Sequence, residues 1–139
     1  MAEAKTTEGW VRTGGCLCGA VRFEARGTPE NVRVCHCTLC QKAMSGPFFA
    51  RALYGIDQVT YSAGTERYPS SPQSWRVFCR ECGTRLFAER PGSERIGVSL
   101  AAFDDPEGLT PDCHFFTAFS APWLKLDDGL PQYEEWPPD

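Results

Sequence analysis

Cys35-His36-Cys37-Thr38-Leu39-Cys40 places three thiols within six residues, in the spacing C-x-C-x2-C. Neighbouring cysteines this close cannot reach relaxed disulfide geometry without backbone strain. The spacing suits a soft metal ion, because each thiolate can turn inward on a tight loop. Three protein ligands leave a tetrahedral ion one open position, the feature that separates a catalytic zinc from a structural one. A second set, Cys16-x-Cys18 and Cys79-x2-Cys82, supplies four thiols and therefore a closed site. One structural and one catalytic zinc in one small domain is the expectation. Two bland alternatives stand beside it. The trio could be a second structural zinc completed by Cys113 or His114, or Cys37 and Cys40 could oxidise to a disulfide.

Other residues carry weaker signals. His36 lies between two expected ligands and in an extended segment would point away from them, so it is read as a packing or supporting side chain. His114 is placed with the catalytic residues, as a proton carrier or fourth ligand, and Cys113 is read as a buried hydrophobe. Lys42, Arg51 and the rows holding Arg22 and Arg76 could attract an anionic substrate, although charged strand faces are usually solvated. Trp123, Tyr133 and Trp136 are read as core.

The elements that must position these residues are short. Eleven Pro and thirteen Gly in 139 residues disfavour long helices and favour strands joined by turns. Strands are expected from Trp10, over Ala20 to Arg26, where Val21, Phe23 and Ala25 alternate with charged residues, and over Asn31 to Val34. One or two helical turns over Thr38 to Met44 end at Ser45-Gly46-Pro47. Further strands cover Phe48–Leu53, Gln58–Ser62, Thr65–Tyr68, Trp75–Phe78, Arg85–Arg90, Arg95–Leu100 and His114–Phe119. Pro69 to Pro72 is expected to be an exposed loop, Asp104 to Asp112 a turn-rich one, and Leu130 to Pro138 a tail packed by its aromatics. Residues 1–9 are expected to be a flexible tail and 10–139 one mainly-β domain of short antiparallel strands.

Composition narrows the partners. A hydrophobic content of 42% supports a packed core, and a net charge of −4 argues against nucleic acid, which rewards clustered Lys and Arg. No run of 18 apolar residues is present, so no membrane span is expected. Eight cysteines without a recognisable secretion signal point to a reducing, cytoplasmic setting in which thiols bind metal or do chemistry.

Taken together, Gly14-Gly15-Cys16-Leu17-Cys18-Gly19-Ala20-Val21-Arg22-Phe23, Cys35-His36-Cys37-x2-Cys40 and Phe78-Cys79-x2-Cys82-Gly83-Thr84 resemble the glutathione-dependent formaldehyde-activating (GFA/CENP-V) family. His114, Pro122-Trp123 and Leu130-Pro131-Gln132-Tyr133 extend the resemblance over about Trp10 to Trp136. It implies an Mss4-like mainly-β zinc domain. It also implies structural zinc on Cys16, Cys18, Cys79 and Cys82, and catalytic zinc on Cys35, Cys37 and Cys40. The implied activity is that of a carbon–sulfur lyase acting on a thiol such as glutathione and a small aldehyde, formaldehyde in the family's name. The alternative from a different class is a non-catalytic, zinc-stabilised β domain serving as a protein-interaction module.

Overall fold

The structure is a computed structural model that describes residues 10–138; the expected tail over residues 1–9 lies outside the described residues. Among the described residues, ten strands and one short α-helix follow in chain order, besides three 3-10 turns. The first part runs β1 (Val11–Gly15), β2 (Arg22–Arg26), β3 (Asn31–Cys35), α1 (Thr38–Met44), β4 (Phe49–Gly55) and β5 (Val59–Tyr61). The second runs β6 (Thr65–Ser71), β7 (Ser74–Cys79), β8 (Arg85–Glu89), β9 (Arg95–Ser99) and β10 (Cys113–Phe115). They form a three-stranded sheet, β1-β2-β5, and a seven-stranded sheet, β10-β3-β4-β9-β8-β7-β6. The mainly-β expectation therefore holds, with three local corrections, the first being that the strand expected over His114–Phe119 ends at Phe115 and gives way to a 3-10 turn over Thr117–Phe119. β10 pairs with β3 in parallel, with Phe115 beside Cys35. Pro69 to Ser71, expected as loop, continues β6 and pairs with β7 across a bulge. Pro is tolerated there because β6 is an edge strand, where its missing N–H costs no ladder bond.

Period-2 patterning sets the two faces of the large sheet. On the inner face, Ala52, Tyr54, Val77, Phe87 and Val98 meet Val21, Phe23 and Ala25 of the small sheet in one core. Phe23 anchors that junction, edge-on to Phe87 at 5.4 Å and to Phe103 at 5.2 Å. Buried aromatic pairs of this kind each add roughly 0.5–1.5 kcal/mol beyond area burial. Gly14 of β1 is required by this packing, since a Cβ there would lie 2.3 Å from Phe23 Cζ and 2.4 Å from the Ala102 carbonyl oxygen.

The outer face is not a solvated row. Arg33, Cys35, Phe49, Arg51, Ala88, Gly97, Arg76 and Phe115 share its parity and registers. A second apolar cluster of Cys35, Cys40, Phe49 and Phe115 forms there, joined by Met44 and Tyr133. The C-terminal segment reaches this region by backbone bonds, with His114 N–H donating to Pro131, Phe116 to Glu135 and Tyr133 to His114. Trp136 stacks on Phe115 with ring centroids 5.7 Å apart, as expected of a tail packed by aromatics. Two expected core residues differ. Trp123 is 71% exposed and Trp136 61% exposed, the latter because its indole rests on Phe115 and Phe116 and leaves its other side to solvent.

Candidate metal centres

Each cysteine cluster is built where strand ends meet turns. Cys16 comes directly after β1 and Cys18 follows in the turn, while Cys79 ends β7 and Cys82 sits in the turn before β8. Gly19 and Gly83 have φ of +85° and +82°, backbone that L side chains rarely adopt, and they close the two turns. Backbone N–H groups point at the sulfurs, with Val21 donating to Cys16 at 3.2 Å and Glu81 and Cys82 to Cys79 at 3.3 and 3.4 Å. The Cys16–Cys18 and Cys18–Cys79 sulfur separations are 3.6 and 3.9 Å. A tetrahedral zinc with Zn–S bonds of about 2.3 Å has edges of about 3.8 Å, so the four sulfurs fit such an ion. Thr84, given no role in the sequence reading, links the knuckles: it accepts from Leu17 N–H at 3.0 Å and its hydroxyl lies 3.2 Å from Cys82 Sγ. That hydroxyl, with backbone N–H groups behind it, pulls the Cys82 thiol down to about 5.

The trio sits on the outer face at the start of α1. Cys35 ends β3, Cys37 is the N-cap and accepts from the Cys40 N–H at 3.3 Å, and Cys40 is buried in the first turn. Its three sulfurs all lie within 4.8 Å of one another. An all-sulfur donor set of this kind selects soft or borderline ions such as zinc. Hydrogen bonds from Cys35 and Cys40 drive the Cys37 thiol far below its ordinary range. The same exchange, together with burial, drives Cys35 far above it. All eight cysteines are free thiols, so the Cys37–Cys40 disulfide is absent.

Among the described residues, neither Cys113 nor His114 joins the trio. Cys113 is buried in β10, opposite Arg33. His114 is held on both sides: Nε2 lies 2.7 Å from Asp128 Oδ2, and Nδ1 lies 2.9 Å from His36 Nε2. Since the carboxylate accepts, Nε2 of His114 carries a proton, and a neutral His114 then accepts from His36 at Nδ1. Ligation or proton transfer by His114 would first require it to leave one of these partners. His36 is fully buried, packs edge-on to Phe48 at 5.5 Å, and its Nδ1 has no partner. Burial first, then the neighbouring His114, lowers its pKa to about 4, so it is neutral. Gln41 ties the same loop to the tail, donating to the His36 carbonyl at 2.7 Å and to that of Phe119 at 2.8 Å. Phe116 sits between these contacts in left-handed backbone, φ 56°, a costly conformation for an aromatic residue.

Three arginines stand over the aromatic wall around the trio. Arg51 lies 5.6 Å from the Phe115 ring and donates to Asn31 Oδ1 at 2.6 Å. Arg76 lies 5.6 Å from Phe49, and the exposed Arg90 lies 5.7 Å from Trp136. The expectation of a solvated row therefore fails for Arg76, which is buried. Arg22 does face solvent, paired with Asp104, and Lys42 is exposed on α1.

Residues 11–119 match the family model described as glutathione-dependent formaldehyde-activating enzyme. The chain belongs to that family. An uncharacterized lyase of Schizosaccharomyces pombe is 31% identical over 114 residues, covering 74% of this chain and 83% of that protein. A crystal structure of a Rhodobacter sphaeroides protein superposes with a TM-score of 0.57 at 22% identity, over 87% of this chain and 98% of that one. The last likeness is one of fold. Family membership and the related lyase agree with the two cysteine clusters, either of which could hold a metal ion. No helix among the described residues is long and apolar enough to cross a membrane.

Proposed function

We propose that the protein is a zinc-dependent carbon–sulfur lyase of the formaldehyde-activating type, joining glutathione or a similar thiol to a small aldehyde and releasing it again. The observation that carries this reading is the trio: three clustered sulfurs with no fourth protein donor among the described residues. A fourth protein donor would have favoured the non-catalytic module. In this reading Cys35, Cys37 and Cys40 hold the catalytic zinc and Cys16, Cys18, Cys79 and Cys82 the structural one. A zinc ion held by the trio supplies Lewis acidity that keeps a thiol sulfur deprotonated near neutral pH.

The chain's own residues do the remainder. Arg51 and Arg90 give the outer face positive charge that draws a thiol carrying carboxylates, as glutathione does. Phe49, Phe115 and Tyr133 exclude water from the cluster, which strengthens those attractions. Within it, the thiolate sulfur bonds to the aldehyde carbon, the carbonyl π pair moves to oxygen, and the proton lost by the thiol ends on that oxygen. The reverse step cleaves the same carbon–sulfur bond. His114, held between Asp128 and His36, fixes the loop that carries Cys35 and Cys37.

The test follows carbon-13 formaldehyde and glutathione by NMR, against the uncatalysed condensation, on protein with measured zinc content. Two zinc per chain and an accelerated approach to equilibrium are expected, with the acceleration lost in Cys40→Ser. Protein holding two zinc that leaves the rate at the buffer value with glutathione and with other small thiols sinks the reading.

A further inference from the structure

The outer face contains a buried cation whose hydrogen-bond partners include no carboxylate. Arg76 stands mid-strand in β7 and is 9% exposed. Its Nε donates to Ser70 Oγ at 3.0 Å and its Nη2 donates to Cys40 Sγ at 3.4 Å. Among the described residues no Asp or Glu lies within ion-pair distance of it, although Arg22, Arg33, Arg67 and Arg95 each have one. Burying an unpaired guanidinium is costly, so a buried arginine in a folded protein has an anionic or well-bonded partner. Here the bonding partners are the Ser70 hydroxyl and the Cys40 sulfur.

The sheet makes room for this contact. Arg76 is in register with Ala88, and Ala88 with Gly97. That row of small side chains lets long arginines lie flat beneath α1. At Gly97 a Cβ would already stand 3.1 Å from Arg51 Cδ. Three residues beyond Arg76, the same strand ends in Cys79 of the four-cysteine site. One strand thus fixes a ligand of one centre and touches a ligand of the other.

We propose that Arg76 is a positioning residue of the three-cysteine centre: its guanidinium, anchored on Ser70, hydrogen-bonds the Cys40 sulfur, aims it at the ion the trio would hold and supplies compensating positive charge there. The inference rests on the metal reading of the trio given above. Three thiolates against a divalent cation leave one net negative charge. The guanidinium cancels it, so an anionic thiol meets a neutral centre instead of a repelling one. Arg76 therefore acts on metal retention and on thiol entry and leaves the bond-making geometry unchanged.

The experiment uses the full chain with both metal equivalents, as zinc for chelator competition and as cobalt(II) for the sulfur-to-metal charge-transfer band. Arg76→Met is expected to keep the four-cysteine equivalent and to bind the other about tenfold more weakly, the lower end of what outer-sphere partners contribute. The cobalt band moves to lower energy, since a sulfur relieved of a hydrogen bond is a stronger donor. KM for an anionic thiol rises more than kcat falls. Arg76→Lys restores the charge without the fork that spans Ser70 and Cys40, so it recovers part of the affinity and still moves the band. An unchanged band and affinity in Arg76→Met overturn the proposal; if that variant does not fold, an unchanged band in Arg76→Lys does so. A wild-type protein that binds a single metal equivalent overturns the metal reading and this inference together. Two equivalents that are indifferent to Arg76 overturn this inference alone.

Discussion

Cutting each cysteine cluster by the same chemistry should produce unequal losses of stability. The perturbations are Cys79→Ser with Cys82→Ser, and Cys37→Ser with Cys40→Ser. Each pair removes one buried and one half-buried sulfur, so the packing loss is matched. What differs is the loop each metal would close. The four-cysteine site joins residues 61 apart, as between Cys18 and Cys79. In the chain-entropy picture a cross-link of that span is worth roughly 4 kcal/mol. The trio spans only Cys35 to Cys40, for which the same relation gives roughly 2 kcal/mol. A serine hydroxyl at position 40 still accepts from Arg76, which limits any added cost there. Against a total stability of about 5–15 kcal/mol, the first loss brings the domain near its unfolding threshold and the second does not. Urea unfolding of zinc-loaded protein, followed by tryptophan fluorescence, measures both. The knuckle variant should lose about twice the stability of the trio variant, and the trio variant should remain folded with one zinc fewer. Equal losses, or a knuckle variant with the wild-type midpoint, would refute loop closure as the role of the four-cysteine site.

Three further outcomes follow from single side chains. Tyr54 is fully buried, its hydroxyl has no partner, and burial raises its pKa to about 12. Tyr54→Phe should therefore be neutral or stabilising by up to about 1 kcal/mol. Because a raised acid contributes stability that is lost as pH climbs from its unfolded value near 10 toward 12, the variant should also lose less stability than wild type across that window in alkaline thermal melts. Gly14→Ala must push against Phe23 and a backbone carbonyl, neither of which can retreat, and should cost about 1–3 kcal/mol or more in denaturant midpoint. His114→Ala leaves His36 buried with both ring nitrogens unpartnered and should cost about 2–4 kcal/mol, whereas Asp128→Asn, which alters an exposed partner, should cost less than about 1 kcal/mol. Similar losses in the two variants would show that the histidine pair does not hold the loop.

Much of the architecture was legible along the chain. Turn residues and period-2 alternation located most strands and put Val21, Phe23 and Ala25 on the buried side, and Thr38 to Met44 emerged as the helix. Those signals are local: they depend on residues within one turn or one strand. The errors came from contacts between distant segments. Pro69 to Ser71 reads as loop unless one knows that β6 lies at a sheet edge. The indole of Trp123 reads as core, yet it is exposed in the fold.

The division is sharpest at the cysteines. Spacing alone sorted seven thiols into a four and a three, because metal chelation by neighbouring thiolates is a short-range property of the backbone. No spacing could reveal that Arg76 reaches Cys40, that His36 meets His114, or that Thr84 bridges two knuckles. These pairs are 36, 78 and 67 residues apart, and they exist only because the sheet order brings their strands together. The donor atoms were written in the chain; the charges and hydrogen bonds that surround them were decided by which strands became neighbours.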